Sequence, residues 1–219
     1  MDDNYSYDRD KYFTPAVKWL LIANGLVFVM QLLRGSFMQY WFALWPNAHA
    51  GYIPISFGQF YPVNAFYPWQ LITYAFLHST YSFSHIFFNM FGLWMFGPRL
   101  ENEVGTKQFT FYYFVCAIGG ALTHIGYAYI IGSATPVLGA SAAIFGLLLA
   151  YGVIFPNTKI FFIFIPFPIK ARTFVIIYGA IELFTGVLGL EGGVAHFAHL
   201  GGMLFGFFVI LFWRRKRLV

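Results

Sequence analysis

Apolar residues in this chain do not alternate with polar ones; they run together in blocks. A helix needs about 20 predominantly apolar residues to cross the roughly 30 Å hydrocarbon core of a bilayer. Six blocks approach that length, at 17–33, 82–97, 109–131, 139–155, 171–190 and 195–213, and each predicts a membrane-spanning helix. The second and fourth are short for a full crossing, which predicts an end lying in a wetted cavity or a locally thinned bilayer. The stretch 34–69 is rich in aromatics and interrupted by Pro46, Pro54, Pro62 and Pro68. It is too broken to span and too apolar for a free loop, so it is expected to lie in the membrane interface. The predicted fold class is all-α: a polytopic six-helix membrane bundle with a membrane-lying first loop. It forms one domain over residues 1–219, with a polar N-terminus at 1–15 and a basic tail at 214–219.

Composition agrees. Of 219 residues, 59% are hydrophobic and only 10% charged, where soluble domains run near 25% charged. Aromatics make up 23%, which suits lipid contact and interfacial belts. The net charge of +5 is not a nucleic-acid signal, because the basic residues are scattered or flank apolar runs. Arg9, Lys11 and Lys18 precede the first run, and Arg99 and Lys107 separate the second from the third. Lys159, Lys170 and Arg172 separate the fourth from the fifth, and Arg214, Arg215, Lys216 and Arg217 follow the sixth; the opposite side carries only Arg34. Positive charge marks the cytoplasmic side, so both termini are expected there. The single cysteine, Cys116, leaves no disulfide framework or CxxC metal site. No signal-peptide cleavage pattern precedes the first run, which is expected to act as a signal anchor.

This topology sets depth without reference to chemistry. Runs two, four and six all cross from outside to inside. His85 and Asn89 then fall near the start of the second, Ser141 at the start of the fourth and His199 about one turn into the sixth. Four polar side chains from three helices share one level. Each has a bland reading. Ser141 can be a helix cap or packing residue, and His85 with Asn89, one turn apart, a polar clamp between helices. Each also has a chemical one. A serine at a helix start has free backbone N–H groups around it, and a nearby histidine can take its proton. Small residues give the means of approach: Gly139 for a tight turn, Ala142 and Gly146 on one helix, Gly202 and Gly206 on the other. His196 lies one turn from His199, but no third ligand is near it on the sixth run, so no metal site is expected. Neither Asp nor Glu is placed at this depth beside His199, so a nucleophile–base unit would be a dyad. Glu182, inside the fifth run, reads as a packing carboxyl; Glu101, Glu103 and His78 read as structural.

GAS at 139–141, HIFFN at 85–89 and AHLGGMLFG at 198–206 resemble the motifs of the rhomboid intramembrane serine proteases, in the family's order, and the likeness covers roughly residues 15–213. The resemblance implies a bacterial six-span type in a plasma membrane, with the site opening to the extracytoplasmic side. It implies Ser141 as nucleophile and His199 as base, with an oxyanion held by His85, Asn89 and the Ser141 N–H. Its substrates would be transmembrane segments of single-span membrane proteins, reached through lipid, with no cofactor, metal or nucleic acid. Three positions depart from the family pattern. Ala142 stands where Gly is common after the nucleophile, and Phe145 where Tyr is frequent. Phe145 can still stack on His199 through its ring face. Trp69-Gln70 replaces a Trp-Arg pair. A catalytically silent relative that binds membrane clients is the alternative, and the presence of Ser, His, His and Asn together favours the enzyme. A small transporter would show inverted repeats, and none is visible.

Overall fold

The computed structural model describes residues 13–46, 51–56, 59–63, 66–161, 167–189 and 194–216. Six long helices form the bundle: α1 (Pro15–Phe42), α3 (Phe83–Val104), α4 (Thr106–Ile131), α5 (Ser141–Ile154), α6 (Ala171–Val187) and α7 (Val194–Arg215). A one-turn helix, α2 (Gln70–Thr73), leads into a 3-10 turn at Tyr74–Phe76. The protein is an integral membrane protein of the helical, polytopic class. Trp19, Leu26, Val29 and Leu33 on α1, Phe87, Phe88 and Phe91 on α3, and Phe207, Phe208 and Phe212 on α7 are all exposed. In water such a surface would be a large apolar patch; in lipid it is the solvent-facing side. Among the described residues, three helices are long and apolar enough to cross alone, Pro15–Phe42, Thr106–Ile131 and His196–Arg215.

The centre is built from α4, α5 and α7, and small residues let them close. Tyr112, Tyr113, Cys116, Ala117 and Ala121 of α4 pack with Ile144, Leu147 and Ala150 of α5 and with Ile210 and Trp213 of α7. A Cβ on Gly119 would meet the Phe205 ring, and one on Gly201 would meet Thr123, so α4 and α7 each place a glycine where the other presents a side chain. At 14 residues and 1.5 Å rise each, α5 is ~21 Å long, some ~9 Å short of a ~30 Å hydrocarbon core. It is almost wholly buried, so its start is recessed inside the protein.

At the opposite end, the α3–α4 junction turns on Gly105 at φ 87°, a conformation that favours glycine. There the carboxylate of Glu101 accepts from Thr14 Oγ1 at 2.5 Å, from the backbone N–H groups of Ala16 and Val17 at 2.9 and 3.0 Å, and from Thr106 Oγ1 at 2.7 Å. Glu101 thus caps α1 from α3, the structural role expected of it.

The first loop differs from its expectation. Helix α1 runs past the end of the first apolar block to Phe42, through a local break at Arg34 (φ −141°, ψ 41°). After it comes an antiparallel hairpin, β1 (Gly51–Ser56) and β2 (Gln59–Val63), that pairs Tyr52 with Pro62 and Pro54 with Phe60. Prolines that bar a helix are tolerated here because both strands of a two-stranded ribbon are edges. A second small ribbon, β3 (Lys159–Ile160) with β4 (Ile169–Lys170), closes the connection from α5 to α6. Residues 1–12 of the polar N-terminus predicted at 1–15, His49 and Arg217 lie outside the described residues.

Candidate active site

Loop 1 fixes the approach to Ser141. Leu44 and Val137 exchange two backbone hydrogen bonds, each 3.0 Å, and the Gly139 N–H donates to the Tyr74 carbonyl at 2.9 Å. Tyr74 is buried and its hydroxyl donates to the Ala117 carbonyl of α4 at 2.6 Å, so the segment entering α5 is tied to the bundle core. Gly139 sits at φ 129°. A Cβ there would come within 2.8 Å of His85 Nε2 and 3.6 Å of Ser141 Oγ, so glycine is required by backbone and by space. The cap position of α5 is Ala140, and no side chain caps the helix. Ser141 is therefore not a cap. Its Oγ lies 2.7 Å from His199 Nε2, a contact between residues 58 positions apart.

That contact depends on backbone packing of α7 against α5. A Cβ on Gly202 would collide with the Ala142 carbonyl. Gly206, expected to face the same helix, instead meets Tyr112 Oη and Cys116 Sγ of α4, because α4 fills the space beside α5. Ala142 is buried, and its methyl is the nearest atom to a Cβ built on Gly120 of α4. The methyl that replaces the family's glycine hydrogen thus packs into the α4 interface.

The His199 ring is held in a stack. Phe145 lies parallel to it, 4.3 Å between centroids and 7° between planes, and Tyr178 of α6 covers the far face of Phe145 at 5.0 Å and 13°. Below the ring is a group not anticipated at this level. His199 Nδ1 is 2.9 Å from Glu182 Oε2, and His196 Nδ1 is 2.7 Å from the same oxygen. A carboxylate does lie beside His199, because α6 brings it from another helix. The same finding corrects the reason for expecting no metal site: Glu182, His196 and His199 offer ligand atoms within 4.8 Å of one another. Within this cluster both imidazole Nδ1 atoms meet one oxygen, Glu182 Oε2.

On the other side of Ser141, the Ser79 N–H donates to His85 Nδ1 at 3.0 Å. The proton of a neutral His85 is then on Nε2, the atom next to Gly139. Asn89 is buried and its Nδ2 donates to the His85 carbonyl at 2.8 Å, which leaves a second N–H on the same amide. His78 is fully buried edge-on to the His85 ring, and its backbone exchanges two bonds with the Gln31 amide of α1, at 2.8 and 2.9 Å. Burial lowers its imidazole from 6.5 to about 4, with His85 acting in the same sense and the Phe76 backbone opposing. Gln70, in the place of the family's arginine, is also buried; its Oε1 accepts from Trp45 and Tyr67 N–H at 3.3 Å each. A neutral amide thus does the local bridging.

A family model described as Rhomboid domain matches residues 65–216. Rhomboid protein 1, mitochondrial, of Saccharomyces cerevisiae is 34% identical over 140 residues, which is 63% of this chain and 39% of that protein. Presenilin-associated rhomboid-like protein, mitochondrial, of Homo sapiens is 31% identical over 145 residues, 63% of this chain and 38% of that protein. RHOMBOID-like protein 6, mitochondrial, of Arabidopsis thaliana is 30% identical over 142 residues, 64% of this chain and 41% of that protein. The chain thus spans about two fifths of the length of these relatives. With the model matched over more than half of its length, the chain belongs to the rhomboid family.

Proposed function

We propose that the chain is an intramembrane serine endopeptidase that cuts transmembrane segments of single-span membrane proteins through an acyl-enzyme. The observation that carries this reading is the 2.7 Å contact between Ser141 Oγ and His199 Nε2 at the recessed start of α5. In the reaction, Ser141 Oγ attacks the peptide carbonyl carbon as its proton passes to His199 Nε2. The tetrahedral oxyanion is met by the Ser141 backbone N–H at the start of α5, by His85 Nε2–H and by Asn89. His199 then gives its proton to the leaving amide nitrogen, and water, deprotonated in turn by His199, releases the acyl group. The short α5 supports the reading, because water must reach that depth. Both termini are read as cytoplasmic, with the site facing the other side. Sequence pointed to a bacterial plasma membrane, whereas the named relatives are mitochondrial; what carries over is the integral-membrane placement.

The test is labelling of the purified protein by a fluorophosphonate, with cleavage of a reporter transmembrane helix measured alongside. Wild type should label and cut, and Ser141→Ala and His199→Ala should do neither while folding normally. Full cleavage by Ser141→Ala would sink the mechanism, and client capture without any labelling would favour the silent binding protein.

A further inference from the structure

We infer that Glu182 is a positioning residue for the Ser141–His199 pair, so that this chain carries a Ser–His–Glu unit in which one carboxylate oxygen is shared with His196. The assignment rests on the serine-protease reading and adds to it a third group and a fourth that holds the third.

The starting point is where Glu182 sits. It lies within a helix whose neighbouring residues Ile181, Leu183 and Phe184 are exposed on the lipid side, yet Glu182 itself is only 7% exposed and points inward. An ionisable group inside a membrane helix costs several kcal/mol unless it is partnered, so a lone one is a functional marker by default. Its partners here are specific. Oε2 faces His199 Nδ1 at 2.9 Å and His196 Nδ1 at 2.7 Å. Thr185 Oγ1, one turn further along α6, lies 3.2 Å from the same His196 nitrogen and donates to the Ile181 carbonyl at 2.7 Å.

These contacts fix proton positions. An ionised carboxylate is acceptor-only, so both imidazoles present Nδ1–H to it. With its proton on Nδ1, a neutral His199 has its lone pair on Nε2, which is the atom 2.7 Å from Ser141 Oγ. The resulting line is Ser141 Oγ–H to His199 Nε2, then His199 Nδ1–H to Glu182 Oε2, with His196 Nδ1–H meeting that oxygen from the other side. Stacking alone would not do this. The sandwich of His199, Phe145 and Tyr178 sets the plane of the ring, but a half-turn of the imidazole keeps the stack and takes Nε2 away from Ser141. The bond to Glu182 decides which edge faces α5.

The carboxylate also matters when charge moves. As Ser141 attacks, its proton goes to His199 Nε2 and the ring becomes an imidazolium beside Glu182; Glu182 keeps its charge and takes up no proton. His196 anchors Oε2 throughout, so that the carboxylate stays aligned between substrate cycles. Among the described residues, the other polar groups packed near the ring are His85 from α3, Ser141 from α5 and Tyr178 from α6. None of these is a carboxylate that could take the place of Glu182.

Two experiments test the assignment. Reporter cleavage by the full chain in proteoliposomes should show Glu182→Gln with kcat lowered on the order of 10²–10⁴-fold and KM near wild type, the scale of a tautomer error in a serine–histidine–acid unit. Glu182→Asp should recover part of that loss. His196→Phe should lose less than Glu182→Gln, and the double variant should be no worse than Glu182→Gln alone, since both act through one oxygen. Wild-type kcat in Glu182→Gln, or additive losses in the double variant, would overturn the assignment. Nitrogen NMR of the wild-type protein with labelled histidine, its His199 signal assigned by loss in His199→Gln, reads the tautomer directly and decides the matter even where Glu182→Gln does not fold. Nδ1–H at His199 supports the assignment and Nε2–H refutes it. Failure of the wild type to label at Ser141 would refute the protease reading instead.

Discussion

Gly202→Ala isolates the link between helix packing and catalytic geometry. A Cβ at position 202 would collide with the Ala142 carbonyl oxygen and come within 2.7 Å of its carbonyl carbon and 3.2 Å of its Cα. Carbon atoms in contact prefer roughly 3.5–4.0 Å, so α7 must retreat from α5 by about 0.8 Å at the least. The contact is with backbone, so no side chain can swing aside to absorb it. His199 lies one turn away on the same helix, and an equal retreat stretches the 2.7 Å bond to Ser141 to roughly 3.5 Å, outside the range of about 2.6–3.2 Å for proton transfer. A misplacement near 1 Å costs on the order of 10²-fold in rate, and forced overpacking costs about 1–3 kcal/mol of stability. The assay is the rate of Ser141 labelling by a fluorophosphonate together with reporter cleavage, each against a thermal melt. Gly126→Ala on α4 is the control, since a Cβ there has nothing within 4 Å; it should melt no lower than wild type and react at the wild-type rate. Gly202→Ala reacting as fast as wild type, or Gly126→Ala harmed as much, would refute the reasoning.

Three other outcomes are expected. Ala142→Gly, which restores the family's commoner residue, should lower stability by about 1 kcal/mol for one lost buried methyl and leave kcat within a few fold; a large rise in kcat would show that the methyl crowds the oxyanion site after all. Glu101→Ala removes the acceptor of four hydrogen bonds that join α1, α3 and α4, so a melt should show a loss of at least ~2 kcal/mol, and an unchanged midpoint would count against the cap. His78 gives a pH signature. Its folded-state value near 4 lies below the ordinary 6.5, so only the unfolded chain binds a proton between those limits. Stability is then flat above neutrality and falls as pH drops through 6.5 toward 4, by up to ~3 kcal/mol. In melts from pH 7.5 to 4.5, His78→Phe should show a shallower slope than wild type, and identical slopes would exclude the effect.

The parts that could be read from the sequence were those set by one-dimensional rules. Lipid demands long apolar runs with internally satisfied backbone, so the six helices stand where the blocks of apolar residues stand. Alternating direction then put Ser141 and His199 at one level without reference to their chemistry. The first loop was less legible, because prolines exclude a helix interior but do not choose between an irregular segment and the edge-only hairpin found at 51–63. Glu182 was visible as an acid inside an apolar run. Its partner was not, because the rotation of α6 about its own axis decides whether residue 182 meets lipid or His199, and a mostly apolar helix carries little pattern to report that rotation.

Ala142 shows why a residue beside the nucleophile in sequence is a poor guide to the site itself. Successive residues on a helix point about 100° apart, so when Ser141 faces α7, Ala142 faces elsewhere. It faces α4, where Gly120 supplies the missing volume: a Cβ there would meet the Ala142 methyl, come within 2.8 Å of the Ala198 carbonyl and within 3.2 Å of Tyr74 Oη. The Ala142 carbonyl meanwhile sits on Gly202. Positions 120, 142 and 202 are therefore one packing unit in which two glycines accommodate one alanine. Its effect on catalysis runs through the spacing of α4, α5 and α7, which is also what sets the distance from Ser141 to His199. Gly120→Ala should accordingly damage this chain, and the double variant Gly120→Ala/Ala142→Gly should recover part of that loss, because moving the methyl from α5 to α4 relieves the clash with residue 142 while leaving those with Ala198 and Tyr74.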